Sequence, residues 1–214
     1  MRTQMCHRDE DGRSLPFLVV RLPGDNVVLS SAPVGGGLGS RAWVINAQVP
    51  IGYRRIDLAA HIDELRTHAR LPATDGVGML TGARVEAATV AERDGVEVVS
   101  TVGVSEPEWA AAPAFAAGAR TPGTINVMAW LPVALTPAAL VNAVITVTEA
   151  KAQALVEAGL PGTGTATDAV CIAAPASGPT EPFSGPRSPW GHRLAMAAHA
   201  TIRDGIDGAK EAST

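Results

Sequence analysis

Apolar positions along the chain fall into short runs and helical repeats, which predict strands interspersed with helices. Residues 15–22 and 26–30 are β-favouring runs separated by Pro23-Gly24-Asp25, whose fixed proline φ and permissive glycine predict a β-hairpin. After the glycine-rich turn at residues 35–39, residues 42–49 read as a third strand. Residues 56–70 instead place apolar side chains at Ile56, Ala59, Ala60, Ile62, Leu65 and Ala69, the repeat of a helix. Three more strands are predicted at 77–80, 85–91 and 96–104, the last two joined through Glu92-Arg93-Asp94-Gly95 in a hairpin-like turn. A strand at 124–131 precedes a helix of roughly six turns, with Thr136 as N-cap, Pro137 at its first position and Gly159 past its end. Residues 169–174 read as a last buried strand and 189–205 as a closing helix. The pattern predicts an α/β (α+β layered) single domain over residues 15–207, with a mixed β-sheet and about three main helices. Flexible tails are expected at 1–14, where the side chains are mostly charged or polar, and at 208–214.

Composition narrows the class. With 214 residues, 46% hydrophobic and 18% charged, the chain can bury a core and is not a disordered scaffold. A net charge of −4 with scattered arginines argues against a nucleic-acid-binding face. The longest nearly apolar stretch, 125–135, is interrupted by Asn126 and Pro132 and falls short of the roughly 20 residues of a membrane span, so no membrane segment is expected. The first 14 residues lack the apolar core of a secretory signal, and a cytoplasmic location is the expectation. Cys6 and Cys171 do not make a disulfide framework, and Cys171 reads as a small core residue.

Several segments carry polar chemistry. On the long helix, Asn142, Thr146, Glu149 and Gln153 line one face, either toward solvent or toward a ligand, while Lys151 points elsewhere and is available to pair with a carboxylate. Residues 162–168, Gly-Thr-Gly-Thr-Ala-Thr-Asp, lead into the last core strand and concentrate hydroxyls and one carboxylate where a ligand could meet backbone amides; the plain alternative is a self-capped turn. The proline-rich segment 175–191 reads as a lid or binding loop, with a surface excursion as the alternative. The turn at 35–39 is not a nucleotide P-loop, since no Gly-Lys-Ser/Thr follows it. No His-Glu-x-x-His, paired Cys-x-x-Cys or Gly-x-Ser-x-Gly is present, and the histidine pairs His61/His68 and His192/His199 are seven apart, too far along a helix to share a metal. No metal site is therefore expected. His192 stays of interest because it begins a helix directly after the candidate lid.

Leu29-Ser30-Ser31-Ala32 with Gly36-Gly37-Leu38, then Gly123-Thr124-Ile125-Asn126, Thr148-Glu149-Ala150-Lys151 and Gly164-Thr165-Ala166-Thr167-Asp168 resemble, in order and spacing, the adenosylcobinamide amidohydrolases. The similarity runs from about Phe17 to Asp204. The resemblance implies cleavage of the amide between the corrin-ring propionate and aminopropanol, giving adenosylcobyric acid for cobalamin salvage. The small-molecule partner is then a corrinoid, its cobalt belongs to the substrate, no separate cofactor is required, and homo-oligomerisation is left open. A flat ligand edged with amides needs neutral hydrogen-bonding groups, for which Ser30, Ser31, Gly36, Gly37, Thr124, Asn126, Asn142, Thr146, Thr163, Thr165, Ser184 and Gly185 are the candidates. Amide hydrolysis further needs a base, oxyanion donors and a proton for the leaving amine. On this reading the base is Glu149 or Asp168. The oxyanion donors are Thr124, Asn126 or backbone amides near Gly164 and Thr165, and Lys151 or His192 protonates the amine. A hydroxyl nucleophile among Ser30, Ser31, Thr163 and Thr165 is the other route. Two further readings are a non-catalytic corrinoid carrier and a hydrolase that remodels complete corrinoids such as pseudocobalamin.

Overall fold

The computed structural model describes residues 1–10, 12–112 and 123–211. Its strands divide between two stacked sheets. The first has the order β1 (Arg2–Glu10), β2 (Arg13–Arg21), β5 (Trp43–Gln48), β6 (Gly76–Thr81), antiparallel except for β5 and β6, whose crossover carries α1 (Leu58–His68). The second has six strands, β4 (Gly37–Ser40), β3 (Asn26–Ser30), β11 (Ala169–Pro175), β9 (Thr124–Trp130), β8 (Val96–Gly103) and β7 (Thr89–Arg93). Only β9 and β11 run parallel there, and their crossover carries α2 (Pro137–Glu157). Two short strands, β10 (Ala134–Leu135) and β12 (Thr180–Glu181), pair beside it, and α3 (Pro189–Glu211) closes the chain.

Alternation along each strand sets the layers. Phe17, Val19, Trp43, Ile45 and Ala47 pack toward Ile62 and Leu65 of α1, while Leu18, Val20, Val44 and Met79 face Val28, Val99, Met128 and Cys171 of the second sheet. The far side of that sheet, with Val98, Ile125, Val127 and Ile172, packs on α2 and α3 through Leu140, Val147, Leu155, Leu194 and Ile202. The order is therefore helix, sheet, sheet, helices. The expected single-domain α/β class, mixed pairing and three main helices hold. The chain reversal at Pro23-Gly24-Asp25 is also present, with Asn26 Nδ2 donating to Pro23 O at 3.0 Å and Gly24 O at 2.9 Å. It does not make a hairpin, however: β2 pairs with β1 and β5, and β3 with β4 and β11. The turn carries the chain from one sheet to the other, because β2 is buried on both faces and needs partners on both edges.

The charged start is not a tail. Residues 2–10 form β1 in nine-residue register with β2. An edge strand is held by backbone hydrogen bonds and tolerates polar side chains, so its composition hides it. Its Arg8 is 8% exposed and donates to Glu10 Oε2 at 2.8 Å and Gln48 O at 3.0 Å. The closing helix runs through Gly205 to Glu211, so residues 208–211 are helical as well. The expected strand at 85–91 is a single 3₁₀ turn, Val85–Ala87, followed by β7.

The long helix has the expected ends: Thr136 Oγ1 accepts from Ala139 N at 3.2 Å, and Gly159 takes φ +73°. Among the described residues α2 is the one helix long and apolar enough, by length and composition, to cross a membrane. Half of its apolar window is buried within the fold, against the six-stranded sheet and α3.

Candidate active site

Residues 162–168 turn into β11 beside the C-terminal half of α2 and the start of β9. Asp168 is the hub of this edge. Its Oδ1 accepts from Ile125 N at 2.8 Å and from Thr165 Oγ1, and its Oδ2 accepts from Thr165 N at 3.0 Å and from Lys151 Nζ. A carboxylate has about four lone-pair positions, and here each oxygen already receives two donors. Lys151 and Asp168 side chains are only 10% and 11% exposed, so the pair is largely withdrawn from water. Thr165 Oγ1 also lies 2.8 Å from Gly123 O, which accepts from Thr167 Oγ1 at 3.0 Å, and Thr124 Oγ1 lies 2.7 Å from Thr167 Oγ1. The backbone permits this crowding only with glycine at 164, where a Cβ would stand 2.5 Å from Lys151 Nζ and 2.7 Å from Asp168 Oδ2. The expectation that Lys151 faces away from the helix's polar stripe and meets a carboxylate describes this pair.

Thr124, Lys151, Thr165 and Asp168 thus meet in one cluster, and Thr163 joins through its backbone, its N–H donating to Glu108 O at 2.8 Å. Ser30 and Ser31 border it by stitching β3 to β11: Ser30 Oγ donates to Val170 O at 2.9 Å, and Ser31 Oγ accepts from Val170 N at 3.0 Å. Gly36 packs against Ala32 O, and Gly37 takes φ +81°. Asn126 is fully buried between the sheets, where its Nδ2 donates to Asn46 Oδ1 at 2.9 Å and Leu80 O at 3.2 Å. Strand alternation puts it on the opposite face of β9 from Ile125, whose neighbours are the helices.

The remaining candidates lie elsewhere. Glu149 is exposed and stands about 200° around α2 from Lys151. Asn142 and Thr146 clamp the 175–191 segment: Asn142 Oδ1 accepts from Ser184 N at 3.1 Å, and Thr146 Oγ1 donates to Ser184 O at 2.7 Å. Gly185 follows against Asn142, and His192 is exposed on the first turn of α3. Asn142 precedes Lys151 by nine residues, roughly 13 Å of helix, so this clamp and the Lys151–Asp168 pair are separate places on α2. Glu108, which sequence reasoning passed over, is brought to the cluster by a bridge to Gly164, its N–H donating to Gly164 O at 2.8 Å. Nothing in a single sequence signals a contact between residues so distant along the chain.

Other groups have plainer roles. Burial pushes the Cys171 thiol up to about 12, which removes it as a nucleophile. Two cavities lie apart from the cluster, one of about 370 Å³ lined by Gly35, Trp43, Ile62 and Arg66, the other of about 220 Å³ lined by Arg8, Glu10, Arg55 and His61. Among the described residues no group of three or more His, Cys, Asp or Glu side chains could hold a metal ion.

A buried ammonium–carboxylate pair among threonines fits hydrolytic chemistry but does not name a substrate class. A family model for adenosylcobinamide amidohydrolase matches residues 2–214. The chain belongs to the adenosylcobinamide amidohydrolase family. An adenosylcobinamide amidohydrolase of Methanosarcina mazei is 32% identical over 197 residues, which is 87% of this chain and 92% of that protein. One from Halobacterium salinarum is 36% identical over 159 residues, 71% of this chain and 67% of that protein. The PH0078 protein of Pyrococcus horikoshii, of known crystal structure, aligns with 90% of this chain and 77% of its own at 13% identity and a TM-score of 0.47, a likeness too loose to carry an argument. As a member of this family, the protein is a hydrolase acting on an amide bond.

Proposed function

We propose that this amidohydrolase cleaves the amide joining the corrin-ring propionate of adenosylcobinamide to aminopropanol, releasing adenosylcobyric acid for cobalamin salvage. The observation that carries this reading is the Lys151–Asp168 pair, held at a threonine-rich strand edge by segments that resemble the family's motifs. Adenosylcobinamide is the named substrate of the Methanosarcina and Halobacterium relatives. The corrinoid's cobalt is part of the substrate, and the reaction as proposed uses no further cofactor or resident metal. A cytoplasmic setting is part of the proposal and agrees with Cys6 and Cys171 being free thiols.

In this reading the two charged residues divide the work. Asp168, with two donors on each oxygen, fixes Lys151 and Thr165 in place; it has no vacant lone pair with which to take a proton from water. Lys151 spends one N–H on Asp168 and keeps two for the reacting group. As water adds to the carbonyl carbon, negative charge develops on the carbonyl oxygen, and a largely dehydrated ammonium beside it stabilises that charge more than bulk water does. Thr124 and Thr165 line the approach, and the loop at 175–191 closes over the far side of the corrin. Glu149 and His192 then take no part in the proton transfers.

The test is direct. Purified protein incubated with adenosylcobinamide is expected to yield adenosylcobyric acid and free aminopropanol by mass spectrometry. Binding seen in the corrin absorption spectrum without either product would replace the hydrolase reading with a carrier. Cleavage of pseudocobalamin in preference to adenosylcobinamide would move the substrate to complete corrinoids.

A further inference from the structure

Water attack on an amide needs a base, and with two donors on each Asp168 oxygen another group near Lys151 has to supply it. We infer that Glu108 is this general base. The inference rests on the amide-hydrolase reading and on three observations of the backbone. Glu108 forms an antiparallel bridge to Gly164, with Glu108 N donating to Gly164 O at 2.8 Å and Thr163 N donating to Glu108 O at 2.8 Å. Opposed residues in an antiparallel pair put their side chains on the same face, with Cβ atoms about 5 Å apart. The face in question is identified by Gly164 itself, since its absent Cβ would point at Lys151 Nζ, 2.5 Å away, and at Asp168 Oδ2, 2.7 Å away. Gly162 fixes the approach from the other side, because a Cβ there would lie 2.5 Å from Glu108 N and 2.8 Å from Glu108 O. The half-buried Glu108 therefore shares a face with the Lys151–Asp168 pair although it lies far from both in sequence.

The step balances without any added reactant. The Glu108 carboxylate takes a proton from water as the water oxygen bonds to the carbonyl carbon, and the carbonyl π pair moves onto oxygen against Lys151. When the oxyanion collapses, the C–N bond breaks and the nitrogen takes the proton back from Glu108. The new carboxylic acid then yields its proton to the free amine, leaving carboxylate, ammonium and an unprotonated Glu108. The two glycines of the turn serve different neighbours: Gly162 lets the Glu108 backbone lie against it, and Gly164 leaves room for Lys151 and Asp168.

The experiment compares wild type with Glu108→Gln and Glu108→Asp, on protein checked for folding by circular dichroism. Loss of a general base costs about a hundredfold or more in turnover. Glu108→Gln is expected to lose that much kcat on adenosylcobinamide while its corrinoid Kd stays within about threefold. It should also lose the acid limb of the wild-type pH profile, with Glu108→Asp recovering part of the rate. Turnover of Glu108→Gln above about one tenth of wild type would overturn the inference. A wild type that cleaves no adenosylcobinamide would refute the substrate and leave Glu108 to a second readout. Lys151 and Lys210 are the only lysines, so ¹⁵N-lysine labelling gives two ammonium signals. The Lys151 signal should shift in Glu108→Gln while Lys210 stays put. An unmoved Lys151 signal would place Glu108 away from the pair and overturn the inference by itself.

Discussion

At the scale of single residues, the Lys151–Asp168 pair, proposed for turnover, also bears on stability. Removing one partner of a buried pair leaves the other charge uncompensated at a cost of about 3–5 kcal/mol, whereas an apolar replacement of both relieves much of that. Asp168→Asn is therefore expected to lower the unfolding free energy by about 3 kcal/mol in urea, and adding Lys151→Met should recover part of the loss. Equal midpoints for wild type and Asp168→Asn would show that the pair contributes nothing to folding. Gly164→Ala tests the same place sterically. Its new methyl would stand 2.5 Å from Lys151 Nζ, so at least a tenfold loss of turnover is expected, estimated as roughly 1.4 kcal/mol of transition-state stabilisation. Glu149→Gln and His192→Ala, both at exposed positions away from the pair, are expected to keep turnover within about threefold of wild type, as surface substitutions do. Lys151, Asp168 and Thr165 could be singled out in the sequence because a carboxylate, a lysine and glycines stand in recognisable segments, and the structure brings the three into contact. Glu149 and His192 stand exposed and away from that pair; helical periodicity says which residues share a face and not what that face meets. Asn142 and Thr146 are the instructive case: the polar stripe is real, and half of it is a clamp on Ser184.

At the scale of elements, α1 and β1 enclose a titrating group. His61 is 1% exposed and its Nδ1 lies 2.6 Å from the Tyr53 hydroxyl. Burial, with the charges of Arg8 and Arg55, holds His61 below the usual histidine range, while Glu10 and Glu64 pull the other way. The unfolded chain therefore binds a proton at His61 that the folded chain refuses. The stability tied to a neutral His61 is complete above the unfolded value of about 6.5 and is lost progressively as pH falls below it toward the lower folded value. Urea midpoints measured from pH 8 down to 5 should fall for wild type, and fall less for His61→Asn; parallel curves would assign the acid loss to other groups. The clamp on the 175–191 segment makes a separate prediction. Asn142→Ala removes the acceptor for Ser184 N and should speed proteolytic cleavage within that segment, read by gel, without moving the global melting temperature by more than a few degrees. The capped ends of α2, β9 and the β7–β8 turn were all legible beforehand because their signals are local. The destination of β2 was not, since a turn's sequence fixes a reversal and not which edge the next strand joins.

At the scale of the whole molecule, two sheets packed face to face between helical layers bring the ends of β8, β9 and β11 to one edge, where segments far apart in sequence meet. That convergence is what a single sequence conceals: Glu108 reaches Gly164, and Asn126 reaches Asn46 across the sheets, with no periodicity to announce either contact. The same holds for β1, whose polar side chains suit an edge strand as well as a tail. Deleting residues 1–10 would strip nine paired positions from β2 and expose its apolar edge, so loss of soluble, cooperatively unfolding protein is expected; an unchanged melt would show that the strand is dispensable. The most direct measurement pairs wild type with Lys151→Met in one assay on adenosylcobinamide, followed by mass spectrometry. Wild type is expected to give adenosylcobyric acid and aminopropanol, and Lys151→Met at least about a hundredfold less with corrinoid binding retained, the loss typical of a removed oxyanion donor. Equal product from both proteins would contradict the assignment of the chemistry to this pair, and no product from wild type would contradict the substrate.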